Sequence, residues 1–400
     1  MQDQELAFTL ILLAFMLLAS YLFNLFLGRL RTPSLLAPFV VGLVFQAIPF
    51  LSPFTSLATG EIYYFLAQLG IIFLLFLVGL QLNVKELRSL SKHIVVLSIL
   101  NIVFSSFLGF FVLSSFGYPP LLSIIVSTAL ATVAETTIAP ILDELGVIRT
   151  KVAILILCPG IVDDVVEVML ASLASLIIGV IGVKETAVSF SFLALGLFVF
   201  LVSVFIFQKL VLPLTVRFNN ESKDAQLFLL MISIALIFPA ISQMFELGVL
   251  LGAIVAGLMF QKFINKSNYE PKAMSTLRTI TYGFLGPVFF FGIGLSVSLY
   301  SLAESLQLTL WLLAVNFLGK FLGAIIVGRM AKLNLKAIVS IGLGLSAKFS
   351  MGIIPVQILY SAKVINQQLF SAFVAVSAVT TMIIPFTLSY IINRWRSSIC

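Results

Sequence analysis

Charge is scarce in this sequence: only 10% of its 400 residues are Asp, Glu, Lys or Arg, against roughly 25% in soluble domains. Water is therefore not the chain's main solvent. Histidine occurs once, at His93, and cysteine twice, at Cys158 and Cys400. That is too little for a metal knot or a disulfide framework. No nucleotide loop, zinc motif or Ser/His/Asp set is present, which argues against a membrane enzyme. The opening Met1-Gln-Asp-Gln-Glu5 carries acids where a secretory signal carries Lys or Arg, so the first apolar run reads as a permanent helix. The formal net charge of +7 is spread over short loops without a stripe or run, which excludes a nucleic-acid partner.

What the sequence has instead is apolar length. Hydrophobic residues make up 61% of it, in runs long enough to cross the roughly 30 Å of bilayer hydrocarbon. Turn and charge clusters divide it into about thirteen spans, near 6–28, 34–51, 62–82, 93–116, 120–142, 150–181, 186–215, 224–244, 247–263, 275–300, 303–328, 334–361 and 365–391. The connections after odd-numbered spans collect nearly all the basic residues: Arg29 and Arg31; Lys85, Arg88 and Lys92; Arg149 and Lys151; Lys209, Arg217 and Lys223; Lys262, Lys266, Lys272 and Arg278; Arg329, Lys332 and Lys336; Arg394 and Arg396. Those after even-numbered spans hold Lys184 and Lys363. The positive-inside rule then places the N-terminus outside and the C-terminus in the cytoplasm. A prokaryotic inner membrane is the expected location.

Two basic residues, Lys320 and Lys348, and four acids, Glu135, Asp163, Asp164 and Glu167, fall inside spans. A charge at a helix centre is worth about 2.5–3.5 kcal/mol of insertion penalty, so these residues call for a functional reading. At about 1.5 Å per residue, the Asp pair, Lys320, Lys348 and Glu135 each lie roughly 12–18 Å deep. Two of the spans also carry signs of interruption. The fifth reads Thr132-Val133-Ala134-Glu135-Thr136-Thr137 before Pro140, and the twelfth reads Ser346-Ala347-Lys348-Phe349-Ser350 before Pro355. Each is the second-last span of its half. With 186–215 as a linker helix, about 1–182 and about 224–392 form two inverted six-helix repeats. The whole 1–400 is then a single transmembrane domain, all-α and polytopic, with broken crossing helices and a midplane site. In the sixth span, Pro159 and Gly160 sit one turn below the acids, where they loosen the helix and admit a neighbour.

Several segments in order resemble the cation:proton antiporter-2 family of the sodium/hydrogen exchanger superfamily, over nearly the whole chain. They are Leu74-Leu75-Phe76-Leu77-Val78-Gly79-Leu80-Gln81-Leu82; Ile161-Val162-Asp163-Asp164-Val165; Pro287-Val288-Phe289-Phe290-Phe291-Gly292-Ile293-Gly294-Leu295; and Leu318-Gly319-Lys320-Phe321-Leu322-Gly323-Ala324. The resemblance implies the sodium/proton antiporter-like fold, with a core that moves like an elevator against a dimerisation domain, and hence a homodimer. It implies that Asp164 binds the cation directly, that Asp163 pairs with Lys320 when the ion is absent, and that Thr132 lies beside the site. Adjacent aspartates imply electrogenic exchange. Two departures bear on cation choice: Lys348-Phe349-Ser350 stands where relatives commonly show Arg-Gly-Glu, and Glu135 is an added acid.

The physical chemistry agrees with exchange. A buried acid with a like-charged neighbour holds its proton more tightly than free Asp, so protons and a hard monovalent cation compete for the same oxygens. The transported Na+ (or K+ or Li+) and H+ are substrates, and no cofactor is expected. Some residues carry a second, structural reading. Glu135 and Lys348 suit the dipole ends of broken helices, Glu167 can snorkel or pair as an accessory group, and Thr132 can bond its own helix backbone. A channel would show no proton coupling, and an organic-anion symporter would favour neutral or cationic half-helix N-termini over paired acids. Sodium and potassium both remain open. The chain runs only a few residues past the last span, so a nucleotide-binding regulatory domain in the same polypeptide is not expected.

Overall fold

Apolar side chains spaced all round each segment leave only one way to satisfy the backbone in hydrocarbon, the α-helix. The computed structural model describes residues 2–27, 33–48, 60–82, 84–160, 162–163, 166, 170, 190–211, 224–245, 247–267, 272–296, 305–348 and 353–399. Among them there is helix and connection but no strand. In chain order the helices are α1 (Gln2–Leu27), α2 (Leu36–Ala47), α3 (Glu61–Gln81), α4 (Val84–Ser115), α5 (Pro120–Ala131), α6 (Glu135–Glu144), α7 (Lys151–Gly160) and α8 (Phe190–Ile206). There follow α9 (Asp224–Met244), α10 (Val249–Ser267), α11 (Lys272–Ile280), α12 (Gly286–Ser296), α13 (Leu306–Met330), α14 (Leu335–Leu345), α15 (Ile353–Ser361) and α16 (Gln367–Ile399). Eight of the described helical segments are long and apolar enough to cross a membrane.

Several helix boundaries differ from the spans expected above, three of them instructively. The fourth span begins at Val84, so Lys85, Arg88 and Lys92 ride on the first turns of α4. The thirteenth continues to Ile399 and carries Arg394 and Arg396 past a non-helical Trp395 (φ −109°, ψ 17°). The tenth starts at Lys272 and passes through a π-helical turn, Thr281–Leu285, between α11 and α12. Hydropathy marks where a helix leaves hydrocarbon, whereas the hydrogen-bond ladder continues into the polar region. The charge bias is unaffected, since basic residues count within about 15–20 residues of a span's end.

Contacts divide the chain into two compact units, each drawn from both halves of the sequence. The first comprises 1–82 and 190–296. Its helices cross where glycines meet. In α3 and α10, a Cβ on Gly257 would stand 2.8 Å from the Gly79 Cα, and in α2 and α12 a Cβ on Gly294 would stand 2.9 Å from the Gly42 Cα. Around the second crossing, Leu12 and Met16 of α1, Phe45 of α2 and Phe291 of α12 form a buried cluster. There Tyr63 donates to the Val288 carbonyl at 2.6 Å. At the end of α3, Gln261 of α10 donates to the Leu80 and Leu82 carbonyls at 2.9 and 2.8 Å, closing groups a helix C-terminus leaves open.

The second unit comprises 83–189 and 297–400. Its apolar core joins Leu130 of α5, Leu312 and Val315 of α13, Val356 and Leu359 of α15, and Phe373 of α16. Here the two interruptions appear where the polar runs placed them. Thr132, Val133 and Ala134 separate α5 from α6, and α14 ends at Leu345 before Ser346, Ala347 and Lys348.

Candidate functional site

The two breaks touch through main chain: the Ala134 amide donates to the Ala347 carbonyl at 2.9 Å. Each thereby satisfies a polar group that an interrupted helix exposes inside a bilayer. Side chains supply the rest. The Val133 amide donates to Asp163 Oδ2 at 3.1 Å, with Asp163 2% exposed. Lys348, 3% exposed, donates from Nζ to the Ala129 carbonyl at 2.6 Å and to Thr132 Oγ1 at 3.4 Å. Its ammonium also lies 5.2 Å from the ring centre of Phe373, and its carbonyl accepts from Thr381 Oγ1.

These bonds follow helix-end physics. The last carbonyls of α5 carry partial negative charge and receive a cation; the first turn of α6 carries partial positive charge and begins with Glu135, which is 2% exposed. Glu135 is accommodated by Gly160 of α7, where a Cβ would collide with its carboxylate. Gly160 therefore admits a side chain rather than a second helix backbone. Helical structure also runs through Pro159 and Gly160 to Val162 and Asp163, apart from Ile161, which lies outside the described residues.

On α13, Lys320 is fully buried and interacts electrostatically with Asp163, as does Lys348. Among the described residues the Lys320 ammonium and Asp163 Oδ1 have no hydrogen-bond partner. Close approach of α13 to α4 is permitted by Gly319 and Gly323, against which Ser105 and Asn101 of α4 lie. Five residues singled out in the sequence, Thr132, Glu135, Asp163, Lys320 and Lys348, thus belong to one neighbourhood of the second unit. Thr132 also donates to the Ala129 carbonyl of its own helix at 3.0 Å, so its backbone-bonding reading holds beside its contact with Lys348. Asp164, Glu167, Phe349 and Ser350 lie outside the described residues.

A buried acid is thus held where the two broken helices meet, with two buried lysines in its field. The family described as sodium/hydrogen exchanger, transmembrane, matches residues 11–394. The chain belongs to that family. Among similar proteins, this exchanger-family chain is 23% identical to a Na(+)/H(+) antiporter of Enterococcus hirae, over 82% of its own length and 84% of the relative's. It is 24% identical to the Na(+)/H(+)-K(+) antiporter GerN of Bacillus cereus, over 90% of each. Its fold matches that of the sodium proton antiporter MjNhaP1 of Methanocaldococcus jannaschii, with a TM-score of 0.62, 16% identity and coverage of 98% and 97% of the two chains.

Two groups in this neighbourhood of the exchanger-family chain escaped the sequence reading. Asn316 of α13, fully buried, donates from Nδ2 to the Ser346 carbonyl at 2.9 Å and ties α13 to the second break. Thr381 of α16 holds the Lys348 carbonyl. Asn316 left one signal, an uncharged polar residue one turn before Lys320 in an apolar span; Thr381 left none that separates it from its neighbour Thr380.

Proposed function

We propose that this chain exchanges protons for sodium or potassium across the membrane by alternating access, with the cation and the proton competing for the carboxylates Asp163 and Asp164. The observation that carries the reading is Asp163, buried at the crossed breaks, anchored by the Val133 amide through one oxygen and facing the charges of Lys320 and Lys348. Carboxylate and carbonyl oxygens suit a hard monovalent cation. The anchored oxygen fixes where Asp163 points, and its other oxygen, unpartnered among the described residues, is the one to meet an ion or the Lys320 ammonium. Asp164 carries the cation or the proton, Lys320 alternates as the partner of Asp163, and Thr132 flanks the ion. Glu135 and Lys348 compensate the half-helix ends, with Glu167 as an accessory acid. No covalent chemistry is needed, because exclusive occupancy followed by exposure to the other side is sufficient for exchange.

The inverted-repeat reading, 1–182 against 224–392, is supported by the crossings. Under it the second span corresponds to the ninth and the third to the tenth. The contact of α2 with α12 then maps onto that of α10 with α3, and both are made by paired glycines. The two breaks likewise correspond to each other. An electrogenic homodimer in a prokaryotic inner membrane, N-terminus outside and C-terminus cytoplasmic, completes the proposal. It is supported by the aspartate pair, by the charge bias and by the family's motifs. The test is proton exchange in proteoliposomes with sodium, lithium and potassium, with and without a clamped membrane potential. Exchange that depends on the cation and disappears in Asp164→Ala is expected. Cation flux indifferent to a pH gradient, or an Asp164→Ala variant that still exchanges, would overturn the reading.

A further inference from the structure

Asn316 and Lys320 stand one turn apart on the same face of α13, and both are 0% exposed. Their Cβ atoms are therefore about 5–6 Å apart. The Asn316 amide is oriented by its partner. Only its NH2 can donate to the Ser346 carbonyl at 2.9 Å, so Nδ2 faces the second break and Oδ1 is the remaining arm. Among the described residues that Oδ1 has no hydrogen-bond partner, nor does the Lys320 ammonium, nor Asp163 Oδ1. Unsatisfied amide and ammonium groups are expensive away from water. Lys320 thus has two candidate acceptors, each with an oxygen unpartnered among the described residues: the carboxylate with which it interacts electrostatically, and a neutral amide oxygen one turn back along its own helix.

We infer that Asn316 is a positioning residue for Lys320, receiving its ammonium on Oδ1 whenever a cation occupies the carboxylates. This rests on the proposed role of Lys320 as the alternating partner of Asp163. In the ion-free site the negative carboxylate draws Lys320. An arriving cation neutralises that carboxylate and repels the ammonium, which needs an acceptor inside the protein if it is to keep its proton. A carboxylate at this position would trap it. An amide oxygen is strong enough to hold the ammonium and weak enough to release it when the cation leaves. The Nδ2 bond to Ser346 keeps the receiving oxygen fixed relative to the break. Among the described residues the other charged groups of this neighbourhood are Asp163, Lys348 and Glu135. From α4 come the neutral Asn101 and Ser105, against Gly323 and Gly319, and from α16 the neutral Thr381 and Phe373.

The experiment uses the full chain in detergent and in proteoliposomes. Apparent sodium affinity is read from sodium-dependent thermal stabilisation across pH, alongside KM and maximal rate of exchange. The variants are Asn316→Ala and Asn316→Asp, each also in a Lys320→Gln background. Losing one hydrogen bond to a charged group predicts that Asn316→Ala weakens sodium binding roughly tenfold, raises KM more than it lowers the maximal rate, and shifts the pH profile. All three effects are expected to vanish when Lys320 is Gln. Asn316→Asp, of the same shape but without the donor to the Ser346 carbonyl, is expected to tighten sodium binding by holding Lys320 away from Asp163 while slowing turnover, an effect that the Lys320→Gln background removes if it acts through Lys320 rather than through Ser346. It carries the test if Asn316→Ala does not fold. Wild-type affinity and pH profile in the Asn316 variants, or an Asn316→Ala effect that persists unchanged without Lys320, would show that Asn316 only braces Ser346. Asp164→Ala is the control for the underlying reading. If it keeps sodium-dependent stabilisation, the ion site itself has been misplaced; if it loses it while the Asn316 variants behave as wild type, only this inference falls.

Discussion

The Ala134 amide and the Ala347 carbonyl, 2.9 Å apart, join the two interrupted helices at the level of their breaks, and the residue beside each of them holds a charge. Val133 binds the Asp163 carboxylate through its amide, and Lys348 binds the end of α5 through its ammonium. Acid and base are thus fixed to the same piece of crossed backbone.

Lys348 is expected to stabilise that crossing more than it contributes to ion selection. Lys348→Met keeps the length and apolar stem of the side chain but removes the ammonium from the Ala129 carbonyl, leaving it only the Thr132 hydroxyl. The loss of a buried charge-assisted hydrogen bond predicts destabilisation of about 1.5–3 kcal/mol. Thermal unfolding in detergent measures it. Discrimination between sodium and potassium is expected to change little in whatever folded protein remains.

Both breaks were legible in the sequence because a polar run inside an apolar span, followed by proline, has few other physical meanings. The buried charges were legible for the same reason: Lys320 and Asp163 have no place in hydrocarbon without a partner. What local pattern does not hold is the identity of partners far away in the chain. Gly79 and Gly294 stood out as parts of motifs, yet what makes them necessary is the close approach of Gly257 and Gly42, which no spacing rule reveals. The start of α4 was read nine residues late because Lys85, Arg88 and Lys92 are polar, and helix formation there does not depend on hydropathy. Asn316 was passed over because it is uncharged; its bond to Ser346 depends on tertiary packing.

At the glycine crossings the expectation is steric. Gly257→Val places a branched side chain where a Cβ alone already stands 2.8 Å from both Gly79 Cα and Leu80 N. Because those neighbours are backbone, α3 and α10 must separate. Overpacking of this kind is worth about 1–3 kcal/mol or more, so a clear fall in the thermal midpoint is expected. Gly283→Ala, where an added Cβ meets nothing within 4 Å, serves as the control and is expected to leave the midpoint nearly unchanged.

Competition at the carboxylates sets a pH dependence whose sign follows from mass action. As pH falls, protons occupy the acids and more cation is needed to displace them, so the apparent KM for sodium rises. In the acidic limb the rise is about tenfold per pH unit if binding one cation releases one proton, and about a hundredfold if it releases two. Exchange assayed at several sodium concentrations over the acidic limb gives the slope. A KM independent of pH would mean that the two ions do not share a site.

Asp163 offers the sharpest separation of structure from charge. Asp163→Asn keeps an oxygen to accept from the Val133 amide, so the crossing is expected to fold, whereas Asp163→Ala leaves that buried amide without its acceptor. The alanine variant is therefore expected to be the less stable of the two, by about 1–3 kcal/mol. The two agree in removing the negative charge that attracts Lys320 and Lys348. With only Asp164 left to carry charge, one fewer proton is moved per cation, and the cycle's net charge movement falls. Exchange by Asp163→Asn is accordingly expected to persist while losing its response to a clamped membrane potential, with the thermal midpoint close to wild type. Undiminished voltage dependence in a folded Asp163→Asn protein would remove Asp163 from the charge-carrying step and leave it a purely structural acceptor for Val133.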